Sequence, residues 1–157
     1  MTFSANRNLF EVPLAAVWDA YGPHLSGAPG SLLCAISQRP LSDDAAKALD
    51  NSASALGFGS KGCTYVYLQV AGGSNQEASE LGANDLQMII EGADPLALVA
   101  CDSHAAALLS QAYNCQVAPD QPNRVLGRTC VSFVQLEKLL GTPEDKQKAW
   151  ALLKMLR

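Results

Sequence analysis

DPLALVACDSHAAALLSQAY, residues 94–113, decides how the rest of the chain is read. Asp94-Pro95 is a turn signal, and Leu96 to Cys101 is an unbroken apolar run of strand length. Asp102-Ser103-His104 then passes at once into Ala105, Leu108, Leu109 and Ala112, which recur at helical spacing. A short strand without polar alternation is covered on both faces, which is the habit of parallel sheets with helices on either side.

The same alternation extends outward. Upstream, Asn84 opens a helix carrying Leu86, Ile89 and Ile90, separated from the strand by Gly92 and Pro95. Further back, SLLCAIS (31–37) is a first apolar strand, after which Ser42 caps a helix with Ala45, Leu49, Ala53 and Leu56 in one stripe, ended by Gly57. CTYVYLQV (63–70), β-branched and aromatic, is a second strand. Downstream, RVLGRTCVSFV contains a fourth strand over 128–134. A closing helix starts at Thr142, with Pro143 in its first turn and Asp145 as the distal half of a capping box, and shows Ala149, Trp150, Leu153 and Leu156 on one face. At the amino end, Pro13, Leu14, Val17, Trp18 and Tyr21 mark a further helix. GPHLSGAPG (22–30) reads as linker, AGGSNQEASELG (71–82) as loop, and NCQVAPDQPN (114–123) as irregular. The expected fold class is therefore α/β, a three-layer α/β/α arrangement around a central, mainly parallel four-stranded sheet. One domain over 1–157 is expected, with 1–30 as an N-terminal helix and linker.

Composition narrows the function classes. The chain is 48% hydrophobic and 17% charged and has no apolar run of membrane-spanning length, so no membrane partner and a cytoplasmic location are expected. Five cysteines, Cys34, Cys63, Cys101, Cys115 and Cys130, form no C-x-x-C pair and sit mostly in apolar runs, where they act as small hydrophobes. With two histidines and no acidic cluster beside either, no metal is expected, and no glycine loop of dinucleotide or Walker type leads from a strand into a helix, so no cofactor is expected. The net charge of −4 is unevenly spread: residues 124–157 hold seven Lys/Arg against three Asp/Glu. Arg124, Arg128, Lys138, Lys146 and Lys148 are the candidate face for nucleic acid or another anionic partner.

Ligands of open α/β sheets sit beyond the carboxyl ends of the strands, near the point where strand order reverses. Ser37, Gln38, Arg39, Asp102, Ser103, His104 and Phe133 are the candidate pocket residues on that rule. Three contiguous residues leaving a strand diverge, so Asp102-Ser103-His104 is not read as a nucleophilic triad, and Asp102 or Ser103 is expected to cap the helix.

From residue 81, LGANDLQMIIEGADPLALVACDSHAAALLSQAY resembles the uracil-DNA glycosylases, in which a helix leads through a Pro into an apolar strand and a second helix. LGFGSKGCTYVYL is similar to their helix, turn and second strand, and LEKLLGTPEDKQKAWALLKML to their closing Pro-, Lys- and Trp-bearing helix. The resemblance runs in order over residues 30–157. It implies a uracil-DNA glycosylase-like fold.

The family's catalytic motifs have no counterpart. SLLCAISQRPLSDD passes into its helix without the Gly-x-x-Pro-Gly-type loop that bears the water-activating group, and Phe133-Val134-Gln135-Leu136 stands where the His-Pro-Ser loop would follow the fourth strand. Base excision needs an activated water and a stabilised departing base. No catalytic residue is assigned. The psi subunit of the bacterial clamp loader, a connector protein, is similar in its closing P-x-x-K/R-x-x-x-W helix, here Pro143 to Trp150. The expectation is a non-catalytic binding or assembly module linked to DNA replication or repair, with a protein or DNA partner. The alternative is an enzyme with a rebuilt pocket for a nucleobase or nucleotide-like ligand, using Arg39, Arg128 and Asp102.

Overall fold

A computed structural model describes residues 13–73 and 77–157. Helix α1 spans Leu14–Tyr21, and a 3₁₀ turn, Gly22–His24, leads to strand β1, Leu25–Gly27. Then follow β2 (Leu33–Ser37), α2 (Asp43–Ala55) and β3 (Thr64–Tyr67). Two short strands, β4 (Gln69–Val70) and β5 (Ser79–Glu80), precede α3 (Ala83–Ala93), β6 (Ala97–Ala100) and α4 (Ser103–Tyr113). The chain closes with β7 (Pro122–Val125), β8 (Arg128–Ser132), a 3₁₀ turn at Leu136–Leu139, α5 (Pro143–Leu153) and a last 3₁₀ turn, Lys154–Leu156.

The main sheet has six strands in the order β1-β3-β2-β6-β8-β7. The four expected strands form its parallel centre, β3-β2-β6-β8, and the edges β1 and β7 are antiparallel additions. The four-stranded expectation is thus corrected. Residues 22–30 are not merely a linker: Leu25 pairs with Val66 and is buried, and Gly27, at φ +81, fits where a Cβ would lie 2.3 Å from the Cys63 carbonyl oxygen. Residues 122–125 likewise form a hairpin arm with β8, with Pro122 at the first position of an edge strand, where its missing N–H does no harm. Within 71–82, Gln69 pairs with Glu80 and Val70 with Ser79, a ladder too short to leave a periodic signal; residues 74–76 lie outside the described residues, as do residues 1–12 of the expected N-terminal segment.

Side-chain alternation divides the interior into two cores. Cys34, Ile36, Val66, Leu98, Ala100 and Cys130 face α1, α3 and α4, whereas Leu33, Ala35, Tyr65, Val99, Val131 and Phe133 face α2 and α5. Leu86, Ile89 and Ile90 dock α3 on the first core, each worth about 1.5–3 kcal/mol of burial, enough to carry Gly92 inside the last helical turn. Asp94, left-handed at φ 48, ends that helix.

From β2 the chain goes through α2 to β3 on one side, then returns through α3 to β6 on the other. Strand order therefore reverses between β2 and β6. That is the crevice in which open α/β sheets hold ligands.

Candidate functional site

A trough of about 450 Å³ opens at that reversal, on the carboxyl edge of the sheet. Ser37, Gln38, Arg39, Asp102, Ser103 and His104 all line it. Phe133 does not: it is 1% exposed and packed in the core beneath α2 and α5. Its alternation with Val131 places it there, and the exposed Val134 with Gln135 lines the trough instead.

Asp102 is the N-cap of α4. Its Oδ1 accepts from the Ala105 amide at 2.8 Å, and its Oδ2 accepts from the Gln38 amide, also at 2.8 Å. The second bond crosses the reversal point and pins the exit of β6 to that of β2. Ser37 is buried, and its hydroxyl donates to the Arg39 carbonyl at 2.6 Å, which closes the turn after β2. Ser103 donates through both its amide and its hydroxyl to the Val134 carbonyl, at 3.2 and 3.3 Å. Gln38 Nε2 donates to Gln69 Oε1 at 3.3 Å.

Glu137 is the charged trough residue that lies outside the candidate set. Its two carboxylate oxygens accept from the Ser42 hydroxyl at 2.6 Å and the Ser42 amide at 2.8 Å, while Ser42 Oγ accepts from the Ala45 amide at 3.1 Å. It fixes the start of α2 from 95 residues away, a pairing that no local pattern announces.

Both trough carboxylates therefore act as acceptors for N–H and O–H groups of the frame. These bonds fix where the two carboxylates sit, and each oxygen keeps a second lone pair. The side chains left facing the trough with no hydrogen bond among the described residues include the Arg39 guanidinium and the His104 imidazole. Among the described residues, no group of three or more His, Cys, Asp or Glu side chains is placed to hold a metal ion.

The candidate cationic face is not a single face. Arg128 lies at the amino end of β8, opposite the trough; its guanidinium donates to Glu91 at 2.9 Å, to Asp94 at 2.8 Å and to the Pro95 carbonyl at 2.9 Å. Its guanidinium is committed to these partners, and it cannot serve a trough ligand as the enzyme alternative requires. Arg124 is on β7 at the same end, and donates to the Gly127 carbonyl at 3.1 Å. Lys138 sits past the carboxyl end of β8, and Lys146 and Lys148 are exposed on α5.

Four of the five cysteines are buried and all five are free thiols. Burial pushes the thiols of Cys34, Cys63 and Cys130 up to about 12 and that of Cys101 upward, so they are protonated at neutral pH and chemically quiet. No helix among the described residues is long and apolar enough to cross a membrane. Compared with known proteins, the chain matches no family model and no curated sequence.

Proposed function

We propose that the protein is a non-catalytic assembly module of uracil-DNA glycosylase-like fold that serves DNA replication or repair by holding a protein partner. The observation that carries this reading is the structural role of Asp102, whose two oxygens accept from the Ala105 and Gln38 amides and so tie the start of α4 to the exit of β2. The carboxylate best placed to activate a water is thereby part of the scaffold. Support for the fold assignment comes from element order: α3, Pro95, β6 and α4 follow one another as the resemblance implies, and β8 leads to a helix with Pro143, Lys146 and Trp150.

Charge favours a protein partner over direct DNA contact at the trough. Asp43, Asp44, Asp102, Glu137, Glu144 and Asp145 gather at the carboxyl edge, against Arg39, Lys138 and Lys146. Such an edge repels a phosphate backbone.

The test pairs a single-turnover uracil-release assay on a uracil-containing oligonucleotide with anisotropy titrations of single-stranded and duplex DNA at low and moderate salt. No uracil release and no saturable DNA binding at moderate salt are expected. Base release that disappears in Asp102→Asn would restore the enzyme reading.

A further inference from the structure

His24 ends the 3₁₀ turn before β1 and is 3% exposed, and both of its ring nitrogens have partners. Nδ1 is 2.6 Å from the Tyr67 carbonyl oxygen at the end of β3, and Nε2 is 2.9 Å from Ser79 Oγ on β5. A carbonyl oxygen can only accept, so Nδ1 carries the hydrogen. In the neutral ring Nε2 is then the lone-pair nitrogen, and the Ser79 hydroxyl donates to it.

A hydroxyl bonded to a histidine whose other nitrogen is fixed by an acceptor is the arrangement of a nucleophile, its base and the group that orients the base. Burial is divided to match. The imidazole is shielded from water, whereas Ser79 is exposed and lines a cavity of about 430 Å³. His24 and Ser79 are 55 residues apart and meet because β1 pairs with β3 and β5 with β4. The cavity shares no lining residue with the trough.

The lining limits what can react there. Tyr21, Val70 and Leu81 supply apolar wall, and Glu77, Glu80 and Asp85 are its charged members beside His24, with no Lys or Arg among them. Asp85 accepts from the Tyr21 hydroxyl at 3.1 Å and from the Gly82 amide at 2.9 Å, and Glu80 accepts from Gln69 at 3.1 Å. Such a lining repels anionic reagents. General-base assistance is worth about 10²–10⁴ in rate, which suits activated acyl groups, thioesters and esters of acidic phenols, rather than amides.

We propose that Ser79 is a covalent acceptor site that takes a short acyl group from a neutral or cationic thioester or activated ester, with His24 as its base and the Tyr67 carbonyl orienting that base. Ser79 Oγ bonds to the acyl carbon as its proton passes to His24 Nε2. The bond from the acyl carbon to sulfur breaks, and the departing thiolate takes the proton, which returns the imidazole to its neutral form. The product is an acylated chain, a modification and not a turnover. The proposal goes beyond the assembly reading and does not rest on it.

The experiment incubates the full chain with acetylthiocholine, a cationic acetyl thioester, with p-nitrophenyl acetate and with a ring-carboxylated p-nitrophenyl acetate, and locates the acetyl group over time by peptide mass spectrometry. Ser79 is expected to acetylate at least about a hundredfold faster than the exposed Ser60, and more slowly with the carboxylated ester than with the other two reagents. His24→Asn keeps an N–H for the Tyr67 carbonyl but offers Ser79 no base. It is expected to slow acetylation of Ser79 at least about a hundredfold, with a thermal melt showing that the variant is folded. The comparison of Ser79 with Ser60 in the unaltered chain stands whether or not that variant folds. Equal rates at the two serines, or a folded His24→Asn that acetylates as fast as the unaltered chain, overturns the proposal. Continued release of p-nitrophenolate beyond one equivalent, lost in Ser79→Ala, would overturn the acceptor role in favour of a hydrolase and would count against the non-catalytic reading as well. Uracil release in the parallel assay would count against that reading alone.

Discussion

Asp102 Oδ2 and the amide nitrogen of Gln38, 64 residues apart in the chain, are 2.8 Å apart at the point where the sheet reverses its strand order. The bond makes Asp102 a clamp between the two central strands as well as a helix cap. Replacing it tests which role dominates. Asp102→Ala is expected to lower stability by about 2–4 kcal/mol, from a lost cap and a lost charge-assisted bond. Asp102→Asn, which keeps an acceptor, is expected to cost about half as much. Urea unfolding midpoints measure both, and a neutral Asp102→Ala would show that the clamp is not structural.

Arg128 is 11% exposed in its side chain and holds Glu91, Asp94 and the Pro95 carbonyl, while Glu91 also accepts from the Tyr113 hydroxyl at 2.6 Å. Arg128→Met leaves the partly buried Glu91 without its cation. The expected loss is about 2–4 kcal/mol by chemical denaturation. Arg128→Glu, which places a third carboxylate among the first two, is expected to be recovered poorly as folded protein, so it is unsuitable as a probe of nucleic-acid contact.

Leu126, exposed and at φ +48 in the turn between β7 and β8, is strained, so Leu126→Asn is expected to stabilise the protein. Relief of the left-handed leucine is worth about 1 kcal/mol, or a rise of about 2–4 °C in Tm. Calorimetry of the purified variant reads this directly. An unchanged or lower Tm would mean that Leu126 contributes packing which its exposure does not reveal.

The buried thiols set an alkaline limit. In the unfolded chain these thiols titrate near 9.0, whereas burial raises Cys34, Cys63 and Cys130 to about 12 in the fold. The folded state therefore binds more protons above pH 9, so stability is complete below that value and falls as pH rises toward 12. Urea midpoints at pH 7 and pH 10 should differ, with the lower at pH 10. A thiol reagent at neutral pH should label Cys115, the one partly exposed cysteine, well before the others. Rapid labelling of all five would contradict this packing.

Much of the fold was legible in local pattern. The apolar runs at 31–37, 63–70, 96–101 and 128–134 became the parallel centre of the sheet, with ends trimmed by up to three residues. The caps at Ser42, Asp102 and Thr142 stand where the sequence places them. Six of the seven candidate pocket residues line one trough, because strand exits in a parallel sheet converge on one edge. Phe133 departed from that set because it shares the alternation of Val131 and so turns into the core.

What each segment buries is legible locally: an apolar run of strand length bounded by turn signals reads as a covered strand, and a longer stripe at helical spacing as a docked helix. Which segments become neighbours is settled only in three dimensions. β1 and β7 are three and four residues long, below the length at which a period can be read, and they are strands only because β3 and β8 offer open edges. Chain crossovers also sorted the charges, placing Arg128 beside Glu91 and Asp94 and Glu137 beside Ser42. The basic residues that look continuous after residue 123 are thereby split between the two edges of the sheet. Hydrophobic periodicity is a property of one segment, whereas an electrostatic partner depends on distance in space, and that is set only when the strands take their order.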